Sequence, residues 1–344
     1  MESGVNESKP IPFIVGVGAS AGGLEPLTEL FANADPSAPT AWVLVQHLSP
    51  DHKSFFVEII QRKTKMTVQR AEHLDVIQPG FIYVIEPNTQ IRVVDGHIES
   101  SQWRRKESAP ASSIDILFES LAEGTEHHCA AVILSGSGTD GTRGAGLVRE
   151  AGGMVVVQDP NAAAFDSMPR SAVRAKLADR VLPAAEIAPF LEAVARRRSP
   201  RSLSAAGGMQ SILDYLRAEH GVEFHAYKPD GIQRRLNRRM DMLGIDDYGA
   251  YLERLKSRED ELAELEQDLL IGVTSFFRDL DAFTQLQAHL TEYVSKHPKP
   301  EYRVWVAGCS TGEEAYSAAM VLDDVLADDG KQSTIKLFAT DLNE

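Results

Sequence analysis

Cysteine is scarce: 344 residues hold only two, Cys129 and Cys309, far apart in the chain. Falling in different predicted domains, they offer no disulfide framework and fit a reduced, cytosolic protein. Long apolar runs are missing too. No stretch approaches the ~20 residues of a membrane-spanning helix, and Met1–Pro10 is polar, unlike a signal peptide. A soluble, cytoplasmic protein without direct membrane insertion is expected. Positive charge is in deficit: 35 Lys and Arg against 50 Asp and Glu leave a net charge of -15. That balance argues against broad binding of nucleic acid or anionic lipid. What remains, 43% hydrophobic and 25% charged residues over a length that allows two domains, is ordinary globular composition.

The chain is organised around Phe13-Ile-Val-Gly-Val-Gly-Ala-Ser-Ala-Gly-Gly23. An apolar run ends in small residues, and Leu24, Leu27, Leu30 and Phe31 then recur at helical spacing. The glycines allow a sharp turn at Ser20 and leave little side chain over its hydroxyl. A helix N-terminus follows, whose free N–H groups favour a developing negative charge. Two readings compete: a nucleophile loop, and a dinucleotide fingerprint beginning at Gly16-Val-Gly18. The fingerprint wants a third glycine where Ala21 stands, and an acid about 20 residues on. The next apolar run, Trp42–Val45, ends instead in Gln46-His47, and histidine suits acid–base work.

Further on, Phe55 to Ile60 reads as a helix. Phe81–Ile85 and Ile91–Val94 read as short strands around the turn Glu86–Thr89, expected to form an antiparallel flap. Ile114, Leu117, Phe118 and Leu121 mark a helix capped by Ser112 or Ser113. Ala130–Leu134 is a buried strand running into a glycine-rich loop that carries Asp140. Right-handed crossovers then bring Ser20, His47 and Asp140 to one carboxyl edge of a parallel sheet. Nucleophile, base and orienting carboxylate are the parts of a triad. Singly, such an Asp is a turn former and such a His a polar loop residue; joint placement is what singles these three out. His52, His73, His97, His127 and His128 are read as surface residues. The order Ser, His, Asp also disfavours an α/β-hydrolase, whose order is Ser, Asp, His. Met154–Val157 gives one more strand, before a loop to Met168-Pro-Arg170.

Four motifs together resemble the catalytic domain of the chemotaxis methylesterases (CheB type): Gly18-Ala-Ser-Ala-Gly-Gly23, Val45-Gln-His-Leu-Ser-Pro50, Leu134-Ser-Gly-Ser-Gly-Thr-Asp-Gly141 and Met168-Pro-Arg170. The resemblance spans roughly residues 10–195. It implies that Ser20 attacks a glutamyl methyl ester on a chemoreceptor, with His47 as base and Asp140 as its orienting carboxylate. Glutamine deamidation by the same acyl chemistry is also implied, and neither reaction calls for a metal or cofactor. The implied oxyanion donors are the backbone N–H groups of Ala21 and Ser137, the latter standing where many members have Met. Many members also carry an N-terminal receiver domain. Only about a dozen residues precede the first catalytic strand here, so control by phosphorylation of this chain is not expected.

Ala184–Ala195 reads as a closing helix, and Arg196–Gly208 as a linker rich in Arg, Ser and Gly whose arginine triplet is a solvated helix end. From Ile212 the pattern is helical. Arg234, Arg235, Arg238 and Arg239 form a basic stripe at i,i+4 spacing, read as a solvated face or a dock for an acidic protein. Tyr302–Ala307 reads as a strand, followed by a Gly/Ser-rich turn and a helix opening on Glu313 and Glu314. Those acids argue against a phosphate site and suit a cationic or hydroxyl-bearing ligand. Ile335–Ala339 is a second strand ending in Thr340-Asp341, where an acid can hold a ribose.

Tyr227-Lys-Pro229, Arg234 to Arg239, Thr274-Ser-Phe-Phe-Arg278, Ala307-Gly-Cys-Ser-Thr-Gly-Glu-Glu314 and Thr340-Asp341 resemble the chemotaxis receptor methyltransferases (CheR type). This implies an S-adenosylmethionine site with Thr274 and Arg278 near the methyl, Glu314 on the cofactor and Asp341 on its ribose hydroxyls. Gly272 stands where members often have Asn. Because the sequence stops as the second strand ends, the methyltransferase sheet is expected to be incomplete. The expected organisation is a polar tail (1–10), a doubly wound parallel α/β esterase domain (11–195), a linker (196–209), an all-α subdomain (210–285) and the start of a Rossmann-like domain (286–344). A chemoreceptor's cytoplasmic helices are the expected partner. The competing reading is a non-catalytic receptor-binding adaptor.

Overall fold

A computed structural model describes residues 12–47, 56–86, 89–102, 112–124, 129–197, 205–224, 227–270, 274, 276–328 and 333–341. They form two compact units, Met1–Leu262 and Ala263–Glu344.

In chain order the first unit opens with β1 (Phe13–Ala19), α1 (Leu24–Ala32), β2 (Thr40–Gln46), α2 (Phe56–Gln61), β3 (Thr67–Arg70), β4 (Phe81–Val84), β5 (Thr89–Val94) and β6 (His97–Gln102). It continues with α3 (Ser113–Gly124), β7 (Cys129–Ile133), α4 (Thr142–Glu150), β8 (Met154–Gln158), α5 (Ser167–Arg174), β9 (Arg180–Leu182) and α6 (Ala184–Arg197). Seven strands pair in the order β3-β4-β2-β1-β7-β8-β9, every pair parallel. All positions of β1, β7 and β8 are buried, as strands covered by helices on both faces must be.

Alternate residues of β1 feed opposite cores. Phe13, Val15 and Val17 pack with Leu27, Leu30 and Phe31 of α1 and with Ile187, Leu191 and Val194 of α6. Ile14 joins the other face, with Ile114, Leu117 and Phe118 of α3 and Val148 of α4. Gly16 and Gly18 belong to this second face, and their work differs from the expected one. They lie within the strand, where an added Cβ would come within 2.6 Å of Leu121 and 2.3 Å of Ile114, so their bareness admits α3. The sharp turn itself falls to Gly22, at φ +69°.

The expected flap is also corrected. Phe81–Val84 is an internal strand, parallel to both β2 and β3, and the antiparallel hairpin is β5 with β6. Ile91, Val93 and Ile98 press it onto the α3 face of the sheet. Periodicity alone could not separate a short buried parallel strand from a hairpin arm.

The first unit continues into α7 (Ala205–His220), α8 (Pro229–Leu243) and α9 (Tyr248–Ser257), followed by α10 (Glu259–Leu269). The arginine stripe on α8 is not a solvated face. Arg238, 1% exposed, donates to Asp179 Oδ1 at 2.8 Å, and Asp179 also accepts the Val155 N–H of β8 at 2.8 Å. Arg239 holds Glu261 through two bonds of 3.0 and 2.7 Å, and the Tyr251 hydroxyl donates to the same carboxylate. Around this dock, Arg180 donates to the Met242 carbonyl and Arg197 to that of Asp241. Helix α8 therefore closes over the β9 edge of the sheet. Arg197 is part of the dock, which corrects its reading as a merely solvated helix end.

The second unit holds α11 (Leu280–Lys296), β10 (Glu301–Ala307), α12 (Glu313–Asp328) and β11 (Thr334–Thr340). Strands β10 and β11 pair in parallel across the α12 crossover. Val294, Tyr302, Val325 and Leu326 form one small core; Val306, Cys309, Ala315 and Ala318 form another.

Candidate functional sites

Strand order puts β1 between β2 and β7, so the chain leaves β1 toward opposite sides of the sheet. The crevice at such a switch point is where open α/β sheets hold ligands. Ser20 follows β1, His47 follows β2 and Asp140 lies just beyond β7. Their side chains meet. His47 Nδ1 is 3.2 Å from Ser20 Oγ, and Nε2 is 2.9 Å from Asp140 Oδ2. As an acceptor, Asp140 takes the Nε2 hydrogen and leaves the Nδ1 lone pair facing the serine hydroxyl. The two ring nitrogens are thus used in the opposite sense to the chymotrypsin arrangement.

The carboxylate is held from the opposite side. Asp140 Oδ2 accepts the N–H of Ile114 at 3.1 Å and Oδ1 that of Asp115 at 3.0 Å. Asp140 thus caps α3, the role expected of Ser112 or Ser113, and the positive end of the helix favours its negative charge. Ser113 has a different place: its Oγ lies 3.1 Å from His47 Nε2. Behind Asp140, the Asp115 carboxyl accepts the Gly144 N–H at 2.7 Å. Burial, with the Asp140 charge adding to it, raises the pKa of Asp115.

Backbone bonds fix the Ser20 loop. Ser20 N–H donates to the Ser135 carbonyl at 3.0 Å, and Gln46 Nε2 to the Ser20 carbonyl at 2.7 Å. The wholly buried Ser135 hydroxyl donates to the Ala21 carbonyl at 2.9 Å and accepts the Phe165 N–H at 3.0 Å. Among the described residues, the N–H groups of Ala21 and Ser137 have no hydrogen-bond partner. The adjoining Gly136 N–H, by contrast, is taken by the Phe165 carbonyl. Gly136 also cannot carry a side chain: a Cβ would lie 2.1 Å from Met168 Sδ and 2.9 Å from Ser20 Cβ.

In the second unit, the loop between β10 and α12 turns back on the end of β11. Gly308 and Cys309 donate to the Thr340 carbonyl, and Ser310 N–H donates to Asp341 Oδ2 at 2.6 Å. Gly308, at φ +75°, has open space where a side chain would stand. Glu313 and Glu314 open α12. Phe277 N–H donates to Ser317 of α12 at 3.0 Å, which brings the segment of Thr274 and Arg278 to that helix. Gly272 lies outside the described residues, as do His52, His127 and His128.

A family model described as CheB methylesterase matches residues 15–191. The chain belongs to the CheB methylesterase family. Residues 208–270 match the all-alpha domain of CheR methyltransferases, and 272–344 match their SAM binding domain, so a CheB domain is here fused to CheR domains. An uncharacterized 104.1 kDa protein of Rhodobacter capsulatus is 36% identical over 83% of this chain and 33% of its own length. A protein-glutamate methylesterase/protein-glutamine glutaminase of Rhizobium meliloti is 32% identical over 54% of this chain and 52% of its own. The chain thus spans between a third and about half of those two relatives. The Thermotoga maritima CheB methylesterase catalytic domain is 29% identical over 52% of this chain and 96% of that one, with a TM-score of 0.48.

Three residues of the CheB domain's site escaped the sequence reading. Ser113 reads only as a possible cap of α3, while Gln46 and Ser135 stand inside the Val45–Pro50 and Leu134–Gly141 motifs with no role of their own. Only packing shows what each of them touches.

Proposed function

We propose that this chain hydrolyses glutamate methyl esters on the cytoplasmic helices of chemoreceptors. The observation that carries the reading is the continuous relay Ser20 Oγ, His47, Asp140, closed at 3.2 and 2.9 Å. Ser20 Oγ attacks the ester carbonyl while His47 Nδ1 takes its proton. Asp140 stabilises the imidazolium, and the free N–H groups of Ala21 and Ser137 receive the oxyanion. His47 then protonates the departing methoxide, and methanol leaves an acyl-Ser20. Water, deprotonated by the same nitrogen, cleaves the acyl-enzyme to glutamate and restores Ser20. A glutamine side chain would follow the same course with ammonia leaving. The protein works in the cytoplasm; among the described residues no helix is long and apolar enough to cross a membrane.

In the same proposal, the second unit binds S-adenosylmethionine, which supplies the methyl group for writing the mark that the CheB domain removes. The residues fit: Asp341 offers a carboxylate to ribose hydroxyls, Gly308 lets a ligand approach the backbone, and Glu314 suits a cation. Thr274 and Arg278 would line the methyl end.

The test is methanol release from methylated chemoreceptor by the chain and by its Ser20→Ala variant. Release that disappears with Ser20 supports the esterase. A folded wild-type chain that releases none overturns it in favour of the adaptor.

A further inference from the structure

Beside the loop of Gly136 and Ser137 lies a cavity of about 440 Å³ lined by Gly138, Thr139, Asp166, Ser167, Arg170, Ser171 and Arg174. We propose that this cavity is a specificity subsite for a carboxylate side chain of the protein substrate, placed next to the ester that Ser20 attacks. The inference rests on the esterase reading and extends it to sequence preference.

Position is the first argument. The first turn of α5 is stitched to the oxyanion loop: Gly136 N–H donates to the Phe165 carbonyl at 2.9 Å, and Met168 N–H to the Gly136 carbonyl at 3.0 Å. Thr142 Oγ1 donates to Ser171 Oγ at 2.9 Å, joining α4 to the same helix. The arginines are therefore held in fixed register with Ser137 and Ser20, as a subsite requires.

Charge is the second. Arg170 and Arg174 stand one helical turn apart on the same face of α5. Asp166 takes Arg170 Nε at 2.5 Å. Among the described residues, Arg174 is exposed and has no partner. One carboxylate against two guanidinium groups leaves the cavity with one positive charge, on a chain whose net charge is -15. A guanidinium binds a carboxylate through paired N–H groups, and Ser167 and Thr139 add hydroxyls. The substrate ester is itself neutral when it binds, so a net cation beside it selects at the binding step for an acidic neighbour.

The experiment uses two helical peptides with one glutamate methyl ester each, flanked by Glu in one and by Gln in the other. Methanol release is measured for wild type, Arg174→Gln and Arg174→Lys, with p-nitrophenyl acetate as an uncharged ester that reads the triad alone. Expected is a roughly fivefold fall in kcat/KM for the Glu-flanked peptide in Arg174→Gln, erased by raised salt. Arg174→Lys should recover most of it, and the Gln-flanked peptide and p-nitrophenyl acetate should not change. Equal rates for both peptides in wild type, or equal losses on both in Arg174→Gln, overturn the subsite. If p-nitrophenyl acetate turnover does not depend on Ser20, the esterase reading fails instead. The subsite is then judged by anisotropy of labelled Glu- and Gln-flanked peptides on the Ser20→Ala chain: a preference for Glu that Arg174→Gln removes supports it, and equal binding overturns it.

Discussion

The CheB domain and the second unit carry their candidate sites in opposite ways. In the first, every proposed side chain touches the next, so the proton relay stands assembled without any ligand. In the second, Asp341 accepts the Ser310 N–H, Glu314 stands in the first turn of α12, and the segment of Thr274 and Arg278 reaches that helix through the Phe277 N–H. The difference follows from the chemistry. A hydrolytic triad passes a proton among its own groups, so those groups stand within hydrogen-bond reach of one another. A cofactor site instead aims its groups at the ligand.

The widest separation of the two regions comes from the relay. Asp140→Asn should lower methanol release about 10³-fold or more, since an amide cannot stabilise the imidazolium and can present the wrong tautomer to Nε2. Binding of S-adenosylmethionine, followed by calorimetry, should stay as in wild type. A loss in both would show that the regions are not independent.

Next is the α8 dock. Arg238→Ala leaves the buried Asp179 carboxylate without its 2.8 Å partner. A loss of about 3–5 kcal/mol in chemical denaturation is expected, the usual cost of stranding a buried charge. Loss of under about 1 kcal/mol would mean that water or Arg149 replaces the guanidinium.

On the cofactor side, Asp341→Asn should weaken S-adenosylmethionine about tenfold by removing a charged acceptor for hydroxyls. Methanol release by the CheB domain should be unaffected.

The smallest effect concerns the CheB core. Burial lifts Glu192 from its ordinary 4.5 to about 7, while its Oε1 accepts the Asp35 N–H at 2.9 Å. The folded protein retains a proton that the unfolded chain gives up. This contribution to stability is complete below pH 4.5 and is lost as pH rises through about 7. Glu192→Gln keeps the acceptor, so it should stabilise the protein by about 1 kcal/mol at pH 8, allowing for screening, and change nothing at pH 4. Melting curves at the two pH values check the sign.

Much of this was legible because parallel strands announce themselves. The apolar runs ahead of Ser20, His47 and Asp140, each bounded by small or polar turn residues, read as buried strands, and the carboxyl ends of neighbouring parallel strands share an edge. The short strands were harder. Thr67–Arg70 and Arg180–Leu182 lie at the sheet's margins, with mixed burial and little apolar signal. The β5–β6 hairpin was blurred with β4 because a four-residue apolar stretch carries no period of its own.

The sequence by itself determined the buried strands that carry Ser20, His47 and Asp140 to one sheet edge, and the acid that follows β11, because residue type and spacing encode these locally. Tertiary structure alone decided the rest. It gave Asp140 the cap of α3, brought Ser113 to His47, and assigned Gly16 and Gly18 to helix packing. It also turned Arg238 and Arg239 of α8 inward, onto Asp179 and Glu261. Each of these depends on which distant group fills the space opposite, and no periodicity along the chain records that neighbour.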